Sequence, residues 1–443
     1  MTRTDTRSKG VGLREDCAHR VGFVLLALLL VLGPQAQAQD DAPITWSAQL
    51  RSTTYLYQDE NEAGVETDYA PLYENFDVAV GRVASGRLDF RVSGRYATDL
   101  ADEGAILTED QLYVAYANLN LNRWQSRVRV GRQFLQEGTN RHTLDGAWIS
   151  MRPTRDWQVR LWGGAEAPVD RSFEAADFGD DAVFGARVLG RVHPRARVGA
   201  WVATRQSGGE TTATPIGGEA LVNPMRGLRA LLRTSYDAEN AEFERFDLLT
   251  QIAPRRDLPV FTIQYIDRKP IIEGSSFFRI FADDLERISL LRGTARYELE
   301  SGFGGELLAV RSAVDDRNTN RFGAALLVPH VRVGLALTSG DAGEDVRWYG
   351  DARYRFFDRL DLSAGAVFAE YALVEDAPDD QTRDLVTMYA RARYELIDGL
   401  RLRAEIQSLE TPLFSEDTRV LLGLDLMAGR GSTRFGLGAG GER

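Results

Sequence analysis

Apolar and polar residues alternate strictly along residues 385–409, and one short turn interrupts the pattern at Asp398 and Gly399. Because successive side chains of a strand point to opposite faces, this period of two predicts a β-hairpin rather than a helix. One face of the hairpin is apolar and includes Met388 and Leu402. The other face is charged and consists mainly of arginine and glutamate.

The same unit recurs from Thr45 onward, for example in residues 88–96, 184–191, 228–236 and 346–356. No stretch after the first 40 residues has the period of an amphipathic helix. The pattern therefore predicts an all-β chain built from hairpins, each with an apolar and a polar face.

Two kinds of connection alternate between the predicted strands. The tight ones lie at residues 84–86, 122–123, 155–156, 193–194, 226–227, 256–257, 301–302, 330, 358–359, 398–399 and 431–432. The largest of the longer, acidic ones are residues 58–70, 165–180, 271–285 and 374–381. Short turns at one rim and long loops at the other are typical of a bacterial outer-membrane barrel. A propeller or solenoid would show a longer sequence repeat.

The fold predicted from these connections is a transmembrane antiparallel up-and-down β-barrel. The connections delimit about 23 segments, and since bacterial single-chain barrels have an even number, we expect about 22 strands within a range of 18 to 24. The weak last segment, residues 433–439, is the one in doubt. Aromatic residues near both rims fit the interfacial girdles of such barrels; they are Trp124, Trp157, Phe356, Phe357 and Tyr394 near turns, and Tyr55, Tyr57, Tyr69, Tyr73 and Tyr371 near loops.

Residues 1–38 have the pattern of a cleaved secretory signal peptide. A basic segment precedes the apolar run from Val21 to Leu32, and Ala36-Gln37-Ala38 provides a small-x-small cleavage site. The apolar run is shorter than the roughly 20 residues that a membrane-spanning helix needs. We therefore expect residues 39–443 to form a single barrel domain in the outer membrane of a Gram-negative bacterium. The mature chain would hold no thiol, because Cys17 is the only cysteine.

The formal net charge of the chain is −12, which argues against nucleic acid as a partner. Acidic residues concentrate in the long loops, as in residues 59–68 and 376–380. These carboxylates are either solvated surface or ligands for divalent cations that bridge to lipopolysaccharide phosphates. Outer-membrane lipid and lipopolysaccharide are therefore the expected surroundings.

Arginines occupy the polar face of many predicted strands, which is the lumenal face of a membrane barrel. The candidates for a solute pathway are Arg91, Arg95, Arg129, Arg160, Arg187, Arg229, Arg233, Arg353, Arg391 and Arg403. They either pair with acidic residues in a structural network, for which Asp89, Asp351, Glu298, Glu395 and Glu405 are available, or form a basic ladder for anionic solutes, as charged rings do in pores. Both hypotheses can hold together.

The loop from Ile271 to Leu285 is unusually apolar for an extracellular segment. An exposed apolar patch of that kind is normally covered, so the loop is expected to fold into the barrel mouth. Its constricting residues would be Phe277, Phe278, Arg279 and Phe281. Alternatively, its aromatic residues extend the upper girdle or contact a neighbouring subunit; a homo-oligomer is therefore left open.

Catalytic residues are few. His142, Asp145 and Ser150 are residue types that could support hydrolysis, but residues three apart on a strand point to opposite faces. His142 and Asp145 therefore do not share a site. No catalytic site, metal site or cofactor is predicted from the sequence.

The segment from Val128 to Gln133, followed by residues 144–148, resembles the Gly-Arg-Gln and Asp-Gly hairpin of porin-like and alginate-export-type barrels. The resemblance covers about 20 residues, the size of one hairpin, and implies the bacterial outer-membrane porin-like superfamily. Such barrels usually end on an aromatic residue, whereas this chain ends Gly-Gly-Glu-Arg and Phe435 is the nearest candidate.

The function expected from this fold is a porin-like channel for passive or weakly selective diffusion of small polar solutes, including anionic ones. The alternative is a structural or adhesive outer-membrane barrel without transport. An enzyme built on a barrel is a third hypothesis.

Overall fold

The computed structural model describes residues 44–60, 66–101, 110–168, 172–174, 177–179, 181–255, 257–269, 286–341, 343–372, 383–410 and 417–430. The strands in this part of the chain are β1 Thr45–Glu60, β2 Glu66–Tyr69, β3 Pro71–Arg82, β4 Leu88–Asp99, β5 Gln111–Leu121, β6 Ser126–Glu137, β7 Asn140–Met151, β8 Trp157–Glu166, β9 Asp181–His193, β10 Ala196–Ser207, β11 Glu210–Ala213, β12 Pro215–Val222, β13 Leu228–Asp237, β14 Glu242–Ile252, β15 Val260–Arg268, β16 Ile288–Glu298, β17 Gly304–Val314, β18 Arg317–Val328, β19 Val331–Gly340, β20 Glu344–Phe356, β21 Leu360–Ala372, β22 Arg383–Ile397, β23 Leu400–Glu410 and β24 Asp417–Arg430.

Twenty-two of these strands form a closed antiparallel barrel. Each pairs with its neighbours along the chain, and β24 pairs with β1 over the register from Trp46–Arg430 to Leu56–Val420, which closes the sheet. The short strands β2 and β11 extend the hairpins that begin with β1 and β10. The predicted fold class and strand number are confirmed, and the weak predicted segment 433–439 lies outside the described residues.

Helical structure in the described residues is limited to the short segments Val83–Gly86 and Arg123–Gln125, both in turns. No helix in this part of the chain is long and apolar enough to cross a membrane.

The outer face of the barrel is apolar, as the alternation predicts. Leu307, Phe322 and Leu326 illustrate it, because each is about 60% exposed although none is polar. A surface with so many exposed apolar side chains would be unfavourable in water. It matches the lipid-facing band of a transmembrane barrel.

The turns at one rim are short, as expected, but the opposite rim is less uniform than the sequence suggests. Five turns there are also short, at residues 138–139, 208–209, 238–241, 315–316 and 341–343. The predicted loop at 58–70 is partly a hairpin, because Tyr57 pairs with Tyr69 and Glu60 with Glu66. Polar and acidic composition therefore did not distinguish a true loop from a strand that continues at this rim.

The predicted aromatic girdle is correct at the turn rim and wrong at part of the loop rim. Trp157 and Tyr394 lie on the outer face of their strands and are 44% and 40% exposed. Tyr73 instead lies on the lumenal parity, opposite Thr53 and beneath the guanidinium of Arg95, whose centre lies 5.0 Å from the ring. Tyr55 contacts Tyr73 edge to face. These tyrosines therefore line the lumen.

Candidate solute pathway

Contacts that skip strands identify the polar face as the inside of the barrel. Glu137 of β6 accepts a 2.7 Å hydrogen bond from Arg187 of β9, although β7 and β8 lie between them. Side chains converge over such a distance only on the concave face of a curved sheet. Residues that are paired on neighbouring strands point to the same side of the sheet. The pairing therefore places the polar faces of β6 to β9 inside the barrel, and the polar faces of the other strands follow in the same way.

All ten arginines predicted for the pathway lie on this lumenal parity. Seven have a carboxylate within ion-pairing distance, and six of these form the pairs Arg91–Asp77, Arg160–Glu137, Arg233–Glu219, Arg353–Asp361, Arg391–Glu405 and Arg403–Asp425. Arg187 bridges two carboxylates, Glu137 and Glu219. Among the described residues, the other three, Arg95, Arg129 and Arg229, have no carboxylate at ion-pairing distance. The lumenal wall therefore carries a salt-bridge network and, in addition, arginines that are not paired with a described carboxylate.

The acidic partners are only partly those that the sequence suggested. Glu298, Glu395 and Glu405 do pair with arginines. Asp89 instead accepts hydrogen bonds from the backbone N–H of Arg82 and from the side chain of Asn120. The acids that sequence reasoning missed are Asp77, Glu137, Glu219, Asp361 and Asp425. Each of these acids lies on the lumenal face of its strand, and this position in the alternating sequence pattern could have identified it.

Glu137 is the centre of the densest group of charges. Its carboxylate accepts a hydrogen bond from Trp148 Nε1 at 3.1 Å and from Arg160 at 3.3 Å, in addition to the one from Arg187. Arg187 also binds Glu219, and Arg233 lies 3.6 Å from the other oxygen of Glu219. We call Glu137, Trp148, Arg160, Arg187, Glu219 and Arg233 the Glu137 cluster. Most of its side chains are buried, since Glu137, Arg187 and Glu219 are 5%, 10% and 11% exposed, whereas Arg233 is 33% exposed.

Arg129 extends this cluster toward β5. Its guanidinium centre lies 4.3 Å from the ring of Tyr116 and 5.3 Å from the ring of Trp148. Its Nε donates to Asn118 Oδ1 at 2.9 Å. The charge is thus held between two aromatic faces, which stabilise a cation through their quadrupoles, and it is not neutralised by an acid among the described residues.

The Glu137 cluster exists because the β6–β7 hairpin leans into the lumen. Gly138, in the hairpin turn with φ of +67°, lies so close to the ring of Trp201 on β10 that a Cβ there would collide with it. Under the hairpin, Leu135 and Leu144 pack with Trp162, Val183 and Ala203 in a small buried core. A barrel lumen is normally polar and hydrated. An apolar core at this place means that the hairpin covers the wall formed by β8 to β10.

A row of glycines lets the hairpin lean. Gly131, Gly146 and Gly164 stand opposite one another on β6, β7 and β8. A Cβ on Gly146 would collide with the carbonyl oxygen of Gly163, so the backbones approach more closely than side chains permit. Glycine in a strand interior is typical of a bend or a close backbone approach.

The outer side of the bent hairpin is covered by the chain after β8. Arg132, on the outer parity and 4% exposed, binds both carboxylate oxygens of Asp145 at 2.7 Å. Its Nη1 and Nη2 groups also donate to the backbone oxygens of Ser172, of Glu174 at 2.5 Å and of Leu112 at 3.4 Å. The sequence segment that resembles porin hairpins therefore forms this bend, and it also supplies Arg132 and Asp145, whose contacts hold the bend in place.

His142 is held between two charged side chains, Glu166 and Arg205. Its Nδ1 lies 3.1 Å from Glu166 Oε1 and its Nε2 lies 3.3 Å from Arg205 Nη2. Because arginine only donates, Nε2 must accept and Nδ1 carries the proton. Asp145 faces the opposite side of β7, as the sequence predicted, and Ser150 accepts a hydrogen bond from Gln158. Among the described residues, no group of histidine, cysteine and acidic side chains is arranged to hold a metal ion.

The turn-side end of the lumen is open and richly charged along β16 to β21. A cleft of about 950 Å³ is lined there by residues that include Arg292, Arg296, Glu306, Arg332 and Asp351. Pairs such as Arg296–Glu298 are about half exposed, at 55% and 47%. Phe277, Phe278, Arg279 and Phe281, predicted to narrow the pore, lie outside the described residues.

Comparison with known proteins finds solved structures of similar fold. No family model and no curated protein sequence matches the chain. The translocation pore of the P pilus usher PapC is 10% identical with a TM-score of 0.49, and the match covers 87% of this chain and 99% of that one. OccAB4 of Acinetobacter baumannii is 9% identical with a TM-score of 0.41, over 88% of this chain and 99% of that one. A BenF-like porin of Pseudomonas fluorescens is 12% identical with a TM-score of 0.41, over 88% of this chain and 100% of that one. The function is therefore argued from the residues of this chain.

Proposed function

We propose that this chain is an outer-membrane channel for passive or weakly selective diffusion of small polar solutes, with a preference for anions. The observation that carries the proposal is the charge of the lumenal wall. Around the Glu137 cluster, the four arginines Arg129, Arg160, Arg187 and Arg233 face the two carboxylates of Glu137 and Glu219. The lumen there is cationic although the whole chain carries −12.

A surplus of fixed guanidinium groups lowers the electrostatic cost of moving an anion through a narrow, partly desolvated passage. Arginine keeps its charge under all physiological conditions, so the preference should not depend on pH near neutrality. Arg129 and Glu137 stand on the leaning β6–β7 hairpin, which covers the wall that carries Arg160 and Arg187. Because most of these charges are buried, they would act on passing solutes through their electric field, which salt screens less than the field of exposed charges.

The alternative functions require different properties of the lumen. A structural or adhesive barrel needs no continuous water path, and its arginines would serve only as a salt-bridge network. An enzyme would need a nucleophile, acid or base accessible to solute, whereas His142 is buried between Glu166 and Arg205. We therefore place the channel first, the adhesive barrel second and the enzyme third.

Planar-bilayer recording of the purified barrel tests the channel against the adhesive barrel. Discrete conductance steps after insertion, absent from detergent-only controls, are the expected result. A barrel that inserts but conducts no ions would reject the channel and favour the adhesive alternative.

The location proposed for the chain is the outer membrane of a Gram-negative bacterium, with the long-loop rim outside the cell. A cysteine at Glu62 should react with a membrane-impermeant thiol reagent on intact cells, and one at Ser85, in a turn of the opposite rim, should not. Both variants should react after the cells are lysed. Equal labelling on intact cells would contradict the orientation.

The loop from Ile271 to Leu285 remains a second proposed source of constriction. Deleting residues 273–282 should raise the single-channel conductance if Phe277, Phe278 and Phe281 narrow the pore. Unchanged conductance together with loss of an oligomer would identify the loop as a subunit contact instead.

A further inference from the structure

A small hollow lies in the lumenal wall where β20 to β23 reach their turns. It is lined by Arg353, Arg355, Asp358, Arg359, Asp361, Arg393, Glu395 and Arg401, and we call it the turn-side hollow. Its volume is about 220 Å³, which is room for roughly seven water molecules at about 30 Å³ each. The hollow therefore has room for one phosphate-sized ion together with several water molecules.

The carboxylate of Asp361 interacts with two arginines in this hollow. Asp361 accepts hydrogen bonds from Arg355 Nε at 2.9 Å and Nη2 at 3.2 Å. Its Oδ1 is also 3.7 Å from Arg353 Nη2. Arg355 binds this acid through both carboxylate oxygens, and the longer distance to Arg353 means that Asp361 compensates that guanidinium group only weakly.

Among the described residues that line the hollow, Arg359 and Arg393 form no ion pair, and Arg393 is the less exposed of the two. In the register it stands between Asp361 on β21 and Arg403 on β23, so a like charge lies directly opposite it. Arg403 itself is occupied by Asp425 and by Thr53. Within the described residues, the Nε of Arg393 is buried without a hydrogen-bond partner and no carboxylate lies at ion-pairing distance. Like charges opposite each other on neighbouring strands destabilise a sheet unless something screens them.

The hollow as a whole has an excess of positive charge. Its lining contains five arginines and three carboxylates, which leaves a surplus of two positive charges. Arginine forks match the oxygens of tetrahedral oxyanions, with two parallel N–H···O bonds to one group. We propose that the turn-side hollow binds one phosphate-type oxyanion with two negative charges, held principally by Arg393 with Arg353 and Arg401.

This inference rests on the proposed function only for the route by which the anion reaches the hollow. Binding itself can be measured without conduction, so the two proposals can fail separately. The test is ³¹P line broadening of inorganic phosphate, and separately of glycerol 3-phosphate, by the detergent-solubilised barrel in mildly alkaline buffer. Broadening of both indicates a site for a phosphate group, and broadening of inorganic phosphate alone indicates a site for the free ion. Broadening of neither overturns the proposal.

Three variants test whether phosphate binds specifically at the turn-side hollow. Arg393→Gln should weaken phosphate binding about tenfold, the loss expected for a charge-assisted hydrogen bond. Asp361→Asn should tighten it several-fold, because Arg353 and Arg355 become available to the anion. Arg296→Gln is the matched control, since Arg296 is an exposed arginine at the same rim with its own partner, Glu298.

The outcomes decide between a site and general attraction. Equal weakening by Arg393→Gln and Arg296→Gln would overturn the proposal in favour of a diffuse cationic surface. Unchanged binding in Arg393→Gln would overturn it as well. If Arg393→Gln does not fold, as judged by heat-modifiable mobility on gels, then Asp361→Asn decides, and absence of tighter binding overturns the proposal.

Discussion

Around the Glu137 cluster the charged side chains of the lumenal face are packed together, whereas several of those along β16 to β21 are exposed to solvent. Glu137 is 5% exposed and Arg187 10%. Arg353 and Arg355, in contrast, are 64% and 59% exposed. Both walls consist of strands with the same alternating pattern and the same residue types. Arginine on the polar parity therefore does not by itself decide whether the charge is buried or accessible.

The difference comes from the hairpin that leans over one wall. On the packed side it places Glu137 among Trp148, Arg160 and Arg187, so that water is displaced and each hydrogen bond gains strength. On the open side no described hairpin covers the wall, and its ion pairs stay in high dielectric, where they contribute little to stability. The packed wall is thus suited to fixing geometry, and the open wall to contacting solutes.

Removing one carboxylate from each wall should give the largest contrast. Glu137→Gln leaves Arg160 and Arg187 partly buried without their shared counter-charge, which costs about 3 to 5 kcal/mol for a buried pair. Glu298→Gln, in an exposed pair, should cost less than about 1 kcal/mol. Urea unfolding of both variants in lipid vesicles measures the difference. Equal losses would mean that the Glu137 cluster is hydrated and that the two walls are alike.

The two faces of β23 provide the next largest effect. Ile406 is 50% exposed on the outer parity, and Ile406→Arg should cost about 2 to 4 kcal/mol at mid-membrane depth. Its neighbour Gln407 faces the lumen and hydrogen-bonds Glu405, so Gln407→Arg should cost little. The same unfolding assay applies. If the lumenal substitution were the more costly one, the two faces would be assigned the wrong way round.

The glycine row gives a smaller effect, confined to the packed wall. Gly146→Ala forces a methyl group against the backbone of β8 and should cost about 1 to 3 kcal/mol, as overpacking does. Gly293, on β16, has open space around an added Cβ, so Gly293→Ala is the matched control. Unfolding and protease sensitivity of the β6–β7 hairpin report the outcome. Unchanged stability of Gly146→Ala would show that the close approach is not needed for the bend.

Local alternation in the sequence was sufficient to predict the barrel and its faces. The parity of Arg391 and Arg393, for example, agrees with the register of β22 and β23. The ion-pair partners were harder to predict, because Arg187 and Glu137 are 50 residues apart and meet only through curvature of the wall. The leaning hairpin was missed for the same reason: Gly131, Gly146 and Gly164 become a row only when three strands are in register. Tyr55 and Tyr73 were assigned to the lipid girdle because aromatic composition was weighed above parity.

The central claim, that the lumenal wall favours anions, is tested most directly by the reversal potential of single channels in a potassium chloride gradient. We predict a potential whose sign shows chloride to be more permeant than potassium, with a further shift toward chloride in Glu137→Gln channels that remain folded. A reversal potential showing preference for potassium would contradict the account, because the arginine surplus would then not face the path of the ions.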